Sequence, residues 1–148
     1  MTTSRARTVS VSVERDPAAV YDYICDPRNL PSWAPGFAKS VREEAGRWLV
    51  ETEAGTVGIA FASDNPLGVV DHRVTDDQGL DDTNPMRVIP NGHGSEVLFT
   101  LFQSAGISDD QFQHDLGLVE SDLQLLKRVL ESGERWPDAP RPGSSAGK

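Results

Sequence analysis

The sequence is poor in cysteine and histidine, the residues that most often build disulfides and zinc sites. It has one cysteine, Cys25, and three histidines in 148 residues. A single cysteine excludes an internal disulfide, and the histidines at positions 72, 93 and 114 lack the spacing of metal ligands. Signatures of nucleotide-binding loops, serine hydrolases and zinc proteases are also missing. We expect no metal and no other cofactor.

Long apolar runs and basic residues are scarce as well. No apolar run approaches the roughly 20 residues that cross a bilayer, and the N-terminal MTTSRARTVS has no apolar signal core. Fourteen Lys and Arg stand against 23 Asp and Glu, a net charge of −9. An acidic surface repels phosphates and anionic lipids. The sequence therefore predicts a cytoplasmic protein that binds neither nucleic acid nor membrane.

The chain has the length and composition of one folded domain. Hydrophobic residues make up 37% of the sequence and charged residues 25%, which is typical of soluble globular proteins. We expect a flexible N-terminus over residues 1–7 and a folded domain over 8–132. The Pro-, Gly- and Ser-rich stretch 133–148 predicts a disordered tail.

The order of elements predicts an α+β fold. Alternation of valine and serine over 7–15 indicates a strand, and Asp16 followed by Pro17 indicates the start of a short helix over 18–25. Turn residues then divide the chain into strands that we place at 37–43, 47–53, 56–63, 67–75, 84–89 and 95–103. Their short connections favour antiparallel neighbours.

A long helix is predicted from Ser108 to about residue 132, with Ser108 and Gln111 as a capping box. The full prediction is a curved seven-stranded antiparallel sheet around this C-terminal helix, with short helices after the first strand. Because one cylinder does not fill a concave sheet, we expect an apolar hollow between them.

Two carboxylates interrupt the apolar side of the long helix. Asp115 and Asp122 project between two apolar stripes, one of which contains Phe112 and Val119. A carboxylate there must be paired, hydrogen-bonded or exposed to a solvated cavity. Asp115 is either a general base or substrate-orienting group, or the partner of an arginine or backbone amide. The structural role is the favoured alternative for both residues.

His72 and Arg87 are the other candidates for chemistry. His72 alternates with Val70 and Val74, so we place it facing inward, either as a proton donor or acceptor or as a packed core histidine. Asp71 then faces outward. Arg87 either points inward, where it would neutralise Asp115 or polarise a carbonyl, or outward in a surface ion pair.

A set of large apolar side chains is expected to line the hollow, with ordinary core packing as the alternative for each. Trp33 lies in a connector, where it either covers the pocket or fixes the short helices against the sheet. The predicted lining residues are Trp33, Phe37, Trp48, Ile59, Phe61, Phe99, Phe112 and Val119.

The opening VSVSVERDPAAVYDYICDPRNLPSW, the meander and the terminal amphipathic helix together resemble the SRPBCC superfamily of START-like helix-grip proteins. The resemblance covers residues 8–132 and is most specific at Pro17, Val20, Tyr21, Ile24, Asp26, Pro27, Pro31 and Trp33. It implies a deep cavity between sheet and terminal helix, open near the start of that helix. No catalytic motif of the superfamily can be transferred to this chain.

Three functions are compatible with this resemblance. The first is polyketide cyclase/dehydratase-like chemistry on a hydrophobic or polycyclic small molecule, with His72 and Asp115 moving a proton and Arg87 stabilising an enolate oxygen. The second is a non-catalytic carrier or sensor of a hydrophobic ligand. The third is an Hsp90-activator-like interaction module, which requires an interior filled by side chains. The oligomeric state is left open, with a dimer as one alternative.

Overall fold

The computed structural model describes residues 2–132, and the predicted tail 133–148 lies outside the described residues. The first strand begins at Ala6, which pairs with Phe102, so residues 6 and 7 of the N-terminus predicted to be flexible over 1–7 belong to the sheet. The elements are β1 Ala6–Val13, α1 Pro17–Cys25, α2 Leu30–Trp33, β2 Ser40–Glu44, β3 Arg47–Thr52, β4 Gly55–Phe61, β5 His72–Thr75, β6 Asp81–Asn84, β7 Met86–Asn91, β8 Gly94–Phe102 and α3 Asp109–Glu131.

The strands form two antiparallel sheets. One has the order β1-β8-β7 and the other the order β2-β3-β4-β5-β6. Segment 68–70 joins them, because the Val70 amide donates to the Met86 carbonyl at 3.0 Å and the Val88 amide donates to the Gly68 carbonyl at 2.8 Å. Gly68 has φ +74, and a Cβ at this position would collide with the Val88 carbonyl. The junction thus requires glycine.

Residues 2–132 contain eight strands where seven were predicted. The additional strand is β6, which is polar and exposed and pairs with β5 at the edge of its sheet. The predicted strand 67–75 is divided, because residues 68–70 bond to β7 whereas 72–75 pair with β4 and β6. Phe37, predicted to begin a strand, lies in a turn where its amide donates to the Ala34 carbonyl.

The helix ends follow the sequence signals. Asp16 accepts a hydrogen bond from the Ala19 amide at the start of α1, and the Ser108 hydroxyl accepts one from the Gln111 amide at the start of α3. The second half of the predicted capping box does not form, because the Gln111 side chain donates to Asp115. No helix in residues 2–132 is long and apolar enough to span a bilayer.

The core lies between α3 and the inner faces of the sheets. Leu116, Leu123, Leu126 and Leu130 are buried on one side of α3, which contacts β1, β8 and α2. Burial of each leucine contributes about 1.5–3 kcal/mol. At Val119 this side of the helix is only half-buried, and there α3 borders a cavity.

Candidate functional site

A cavity of about 240 Å³ lies between α2, α3 and the sheets. Most of its wall is apolar, and its polar side chains are His72, Asn84, Asp115 and Asp122. The lining residues are Leu30, Trp33, Ala34, Gly36, Phe37, His72, Asn84, Phe99, Leu101, Asp115, Leu118, Val119, Asp122 and Leu123. An apolar wall with a few polar groups is typical of small-molecule sites.

The cavity adjoins a second hollow of about 540 Å³ at the surface. Asn84, Leu101 and Asp115 line both spaces, so they form the boundary between them. Asp115 is in the second turn of α3, which places this boundary near the start of the helix. This is the end at which the family resemblance implies an opening.

His72 is buried at the inner face of β5, with 8% of its surface exposed. The predicted inward orientation is therefore confirmed, whereas its role in chemistry stays a prediction. Its Nδ1 lies 3.2 Å from the Val70 carbonyl oxygen, which can only accept, so Nδ1 has the proton. The rings of Phe61 and Phe99 lie 5.3 and 5.7 Å from the imidazole.

The environment of His72 keeps it neutral. Burial lowers its pKa below the ordinary value of 6.5, although the Val70 carbonyl and Asp71 act in the opposite direction. Its Nε2 makes no hydrogen bond to any of residues 2–132. A neutral imidazole with an unprotonated Nε2 at a cavity wall is suited to accept a proton or a hydrogen bond.

The carboxylate of Asp122 is hydrogen-bonded to a backbone amide. Its Oδ1 accepts a hydrogen bond from the Gly36 amide at 3.2 Å, and a Cβ on Gly36 would lie only 3.1 Å from Oδ2. Burial raises the pKa of Asp122 to about 6, against the smaller lowering effect of the Gly36 amide. The favoured alternative, a backbone amide as partner, is confirmed for this residue.

Asp115 has a neutral partner on its own helix. Its Oδ1 accepts a hydrogen bond from Gln111 Nε2 at 2.8 Å, and the side chain is half-buried. Within the described chain neither an arginine nor a backbone amide of another element bonds to it. Asp115 is thus a carboxylate at the cavity boundary without a cationic neighbour, while its role in chemistry stays a prediction.

Arg87 does not belong to the site, so its predicted catalytic role is wrong. It alternates along β7 with Met86 and Val88, which are buried, and its own side chain is 51% exposed on the outer face. There its Nε lies 3.8 Å from Asp71 Oδ1. Asp71 faces outward, as predicted. Arg87 can therefore neither neutralise Asp115 nor polarise a carbonyl in the cavity.

Four of the predicted lining residues do line the cavity, namely Trp33, Phe37, Phe99 and Val119. The other four do not. Trp48, Ile59 and Phe61 border a separate hollow along β3, β4 and β5, and Phe112 borders the surface hollow, beneath the Arg5 guanidinium. A residue on the same sheet face or the same side of α3 as the site does not necessarily line the cavity. The cavity extends over only that part of the sheet and helix surfaces that lies near α2.

Only 3% of the surface of Trp33 is exposed, and its indole Nε1 makes no hydrogen bond to residues 2–132. It belongs to the wall rather than to an exposed cover.

Sequence reasoning missed Asn84, which is opposite His72 in the β5–β6 register. The polar sequence of β6 has no apolar alternation that could have indicated a strand.

No family profile and no curated protein matches this sequence. Solved structures do match it. The Aha1 dimer from Colwellia psychrerythraea aligns with a TM-score of 0.70 at 13% identity, over 88% of this chain and 99% of that chain. XoxI from Bacillus cereus aligns with a TM-score of 0.67 at 16% identity, over 84% and 94%.

The third comparison, Ara h 8.0201, aligns with a TM-score of 0.62 at 15% identity, over 86% of this chain and 98% of that chain. At such identities the likeness concerns the fold alone. The chain has the START-like helix-grip fold that its resemblance to the SRPBCC superfamily implies.

Proposed function

We propose that the protein binds a compact apolar small molecule in the cavity between α3 and the sheets. The main support is an apolar interior of about 240 Å³ that contains a buried imidazole and two carboxylates. Protein interiors are normally close-packed, and an unfilled volume forfeits dispersion contacts. A ligand would restore these contacts, and the polar groups would orient it.

The volume limits the size of this ligand. An apolar cavity of about 150 Å³ accommodates benzene, and pockets for drug-sized ligands have about 300–1,000 Å³. The cavity of about 240 Å³ therefore suits one or two rings. A larger polycyclic molecule would have to extend past Asp115 into the surface hollow.

The proposed chemistry is polyketide cyclase/dehydratase-like. His72 Nε2 would remove a proton from the carbon next to a ligand carbonyl. The proton would then pass from the imidazolium to a β-hydroxyl group, whose C–O bond breaks with departure of water and formation of a C=C bond. Asp115 would exchange protons between the cavity and solvent. With Arg87 on the outer face, the donor for an enolate oxygen would be the Asn84 amide.

One observation favours the alternative of a non-catalytic carrier or sensor. His72 bonds to the Val70 carbonyl and Asp115 bonds to Gln111, so the described residues contain no hydrogen-bonded His–Asp pair. The Hsp90-activator-like alternative is less compatible, because it requires a filled interior.

Binding can be tested by native mass spectrometry of gently purified protein. A copurified small molecule is expected in the wild type and should be lost in Val119→Phe, which fills the cavity. Ser121→Phe is the matched control, because it adds the same ring on the exposed side of α3. Equal ligand occupancy in the two variants would contradict binding at this site.

The chemistry can be tested with the β-hydroxyketone adduct of benzaldehyde and acetone, which loses water to give the ultraviolet-absorbing benzalacetone. We expect His72→Ala and Asp115→Ala to lower the dehydration rate, the former by about 10²-fold or more. Wild-type binding of this ketone without turnover would favour the carrier. Unchanged turnover in both variants would refute the assigned roles.

A further inference from the structure

We infer that the cavity selects its ligand by charge: it takes an apolar molecule with an ammonium group, or a neutral one, and rejects carboxylates and phosphates. The inference rests on the proposed function, because it assumes that the cavity binds a ligand.

The charged groups of the wall all have one sign. Asp115 and Asp122 line the cavity, and no lysine or arginine is among its lining residues within the described chain. They lie seven residues apart on α3, about 10 Å along the helix axis, so a compact ligand is close to at least one of them. Among residues 2–132 neither has a cationic partner: one oxygen of each accepts a hydrogen bond from an uncharged N–H group.

The buried side chain of His72 provides a second, independent sign of a ligand. Only 8% of the surface of His72 is exposed, and its Nε2 is without a hydrogen-bond partner in residues 2–132. This lone pair would accept an N–H or O–H group. An ammonium group offers three such donors, whereas an ionised carboxylate offers none.

The available donors do not reverse this preference. The Gly36 amide is already bonded to Asp122, Trp33 Nε1 has no exposed surface, and the Asn84 side-chain amide is an uncharged donor. One neutral amide group cannot compensate an anion for lost hydration and for repulsion by two carboxylates in an environment of low dielectric constant. An ammonium group gains where the anion loses, and the aromatic faces of Trp33, Phe37 and Phe99 add a further attraction for cations.

Three naphthalene derivatives of similar size test the inference: naphthylethylamine, naphthylethanol and naphthylacetate. Their dissociation constants are measured by calorimetry at pH 8 and moderate salt. We expect the amine to bind at least tenfold more tightly than the acid, about 1.4 kcal/mol, with the alcohol between them. Asp122→Asn and Asp115→Asn should each reduce the ratio of amine to acid affinity, and the double variant should bring it close to one.

The matched control is Glu120→Gln, which removes the same charge from the solvent-exposed side of α3 and should leave the ratio unchanged. Far-UV circular dichroism checks that each variant is folded, and the wild-type comparison remains decisive if one is not. Binding of the alcohol together with equal or tighter binding of the acid would overturn charge selection and leave the proposed function standing. If none of the three naphthalene derivatives binds, both the charge selection and the proposed function are overturned.

Discussion

Asp122→Asn should stabilise the protein at pH 8 and have little effect near pH 4. Burial raises the pKa of Asp122 from its ordinary 3.8 to about 6 in the folded protein. Between these two values the folded state binds the proton more tightly than the unfolded chain does. The contribution of Asp122 to the free energy of unfolding therefore falls as pH rises from about 4 to about 6, and this loss is complete above that range. Asparagine keeps an acceptor for the Gly36 amide but cannot ionise.

The magnitude follows from the two pKa values. The difference between 3.8 and about 6 corresponds to about 3 kcal/mol if none of it is screened. Asp122 is only half-buried, and solvent screening lowers this to about 1–2 kcal/mol. For a domain of this size the variant should melt about 3–6 °C above the wild type at pH 8.

Urea unfolding followed by tryptophan fluorescence at several values between pH 4 and 8 measures the effect. The difference in unfolding free energy between Asp122→Asn and the wild type should be close to zero at pH 4 and should grow to its full value between pH 6 and 8. Glu120→Gln is the control for removal of one negative charge from an acidic protein. A variant less stable than the wild type at pH 8 would show that the ionised carboxylate helps to hold α3 to the turn at Gly36, and the reasoning would be refuted.

Three further outcomes follow from the fold and site. Gly68→Ala should cost more than about 2 kcal/mol, because φ is +74 and the added Cβ meets the Val88 carbonyl, and a cost under 0.5 kcal/mol in urea unfolding would contradict this. Ser108→Ala should lower the unfolding free energy by about 1 kcal/mol through loss of the Gln111 cap, with Ser121→Ala as a control at an exposed position. Arg87→Ala should leave ligand affinity and dehydration rate unchanged, because the Arg87 side chain lies on the outer face. A tenfold loss of either quantity would show that Arg87 takes part in the site.

The parts of the fold that were predictable have strong local signals. β1 alternates valine with serine, and α3 combines an apolar period of a helix with a serine cap, so both were placed within a few residues. β6 was missed because its residues are polar and exposed and its existence depends on pairing with β5. Long-range pairing also divides the predicted strand 67–75 at the Gly68 junction.

The site was predictable only in outline. The interrupted apolar side of α3 identified Asp115 and Asp122, and alternation in β5 identified the inward His72. The direction of Arg87 could not be decided, because Met86, Val88 and Ile89 leave both faces of β7 partly apolar. Which aromatic residues border the cavity depends on where α2 packs against α3, a contact between segments about 90 residues apart.

The segment that connects the two sheets is paired by few hydrogen bonds. Across it run two backbone hydrogen bonds and one from the Met86 amide to the Asp71 carboxylate. At about 1 kcal/mol for each bond, the pairing across this segment is weaker than the ladder between β1 and β8, which extends over eight residue pairs. Exchange at the Val70 and Val88 amides should therefore be faster than exchange at the amides of β1 and β8, and hydrogen–deuterium exchange measures this difference.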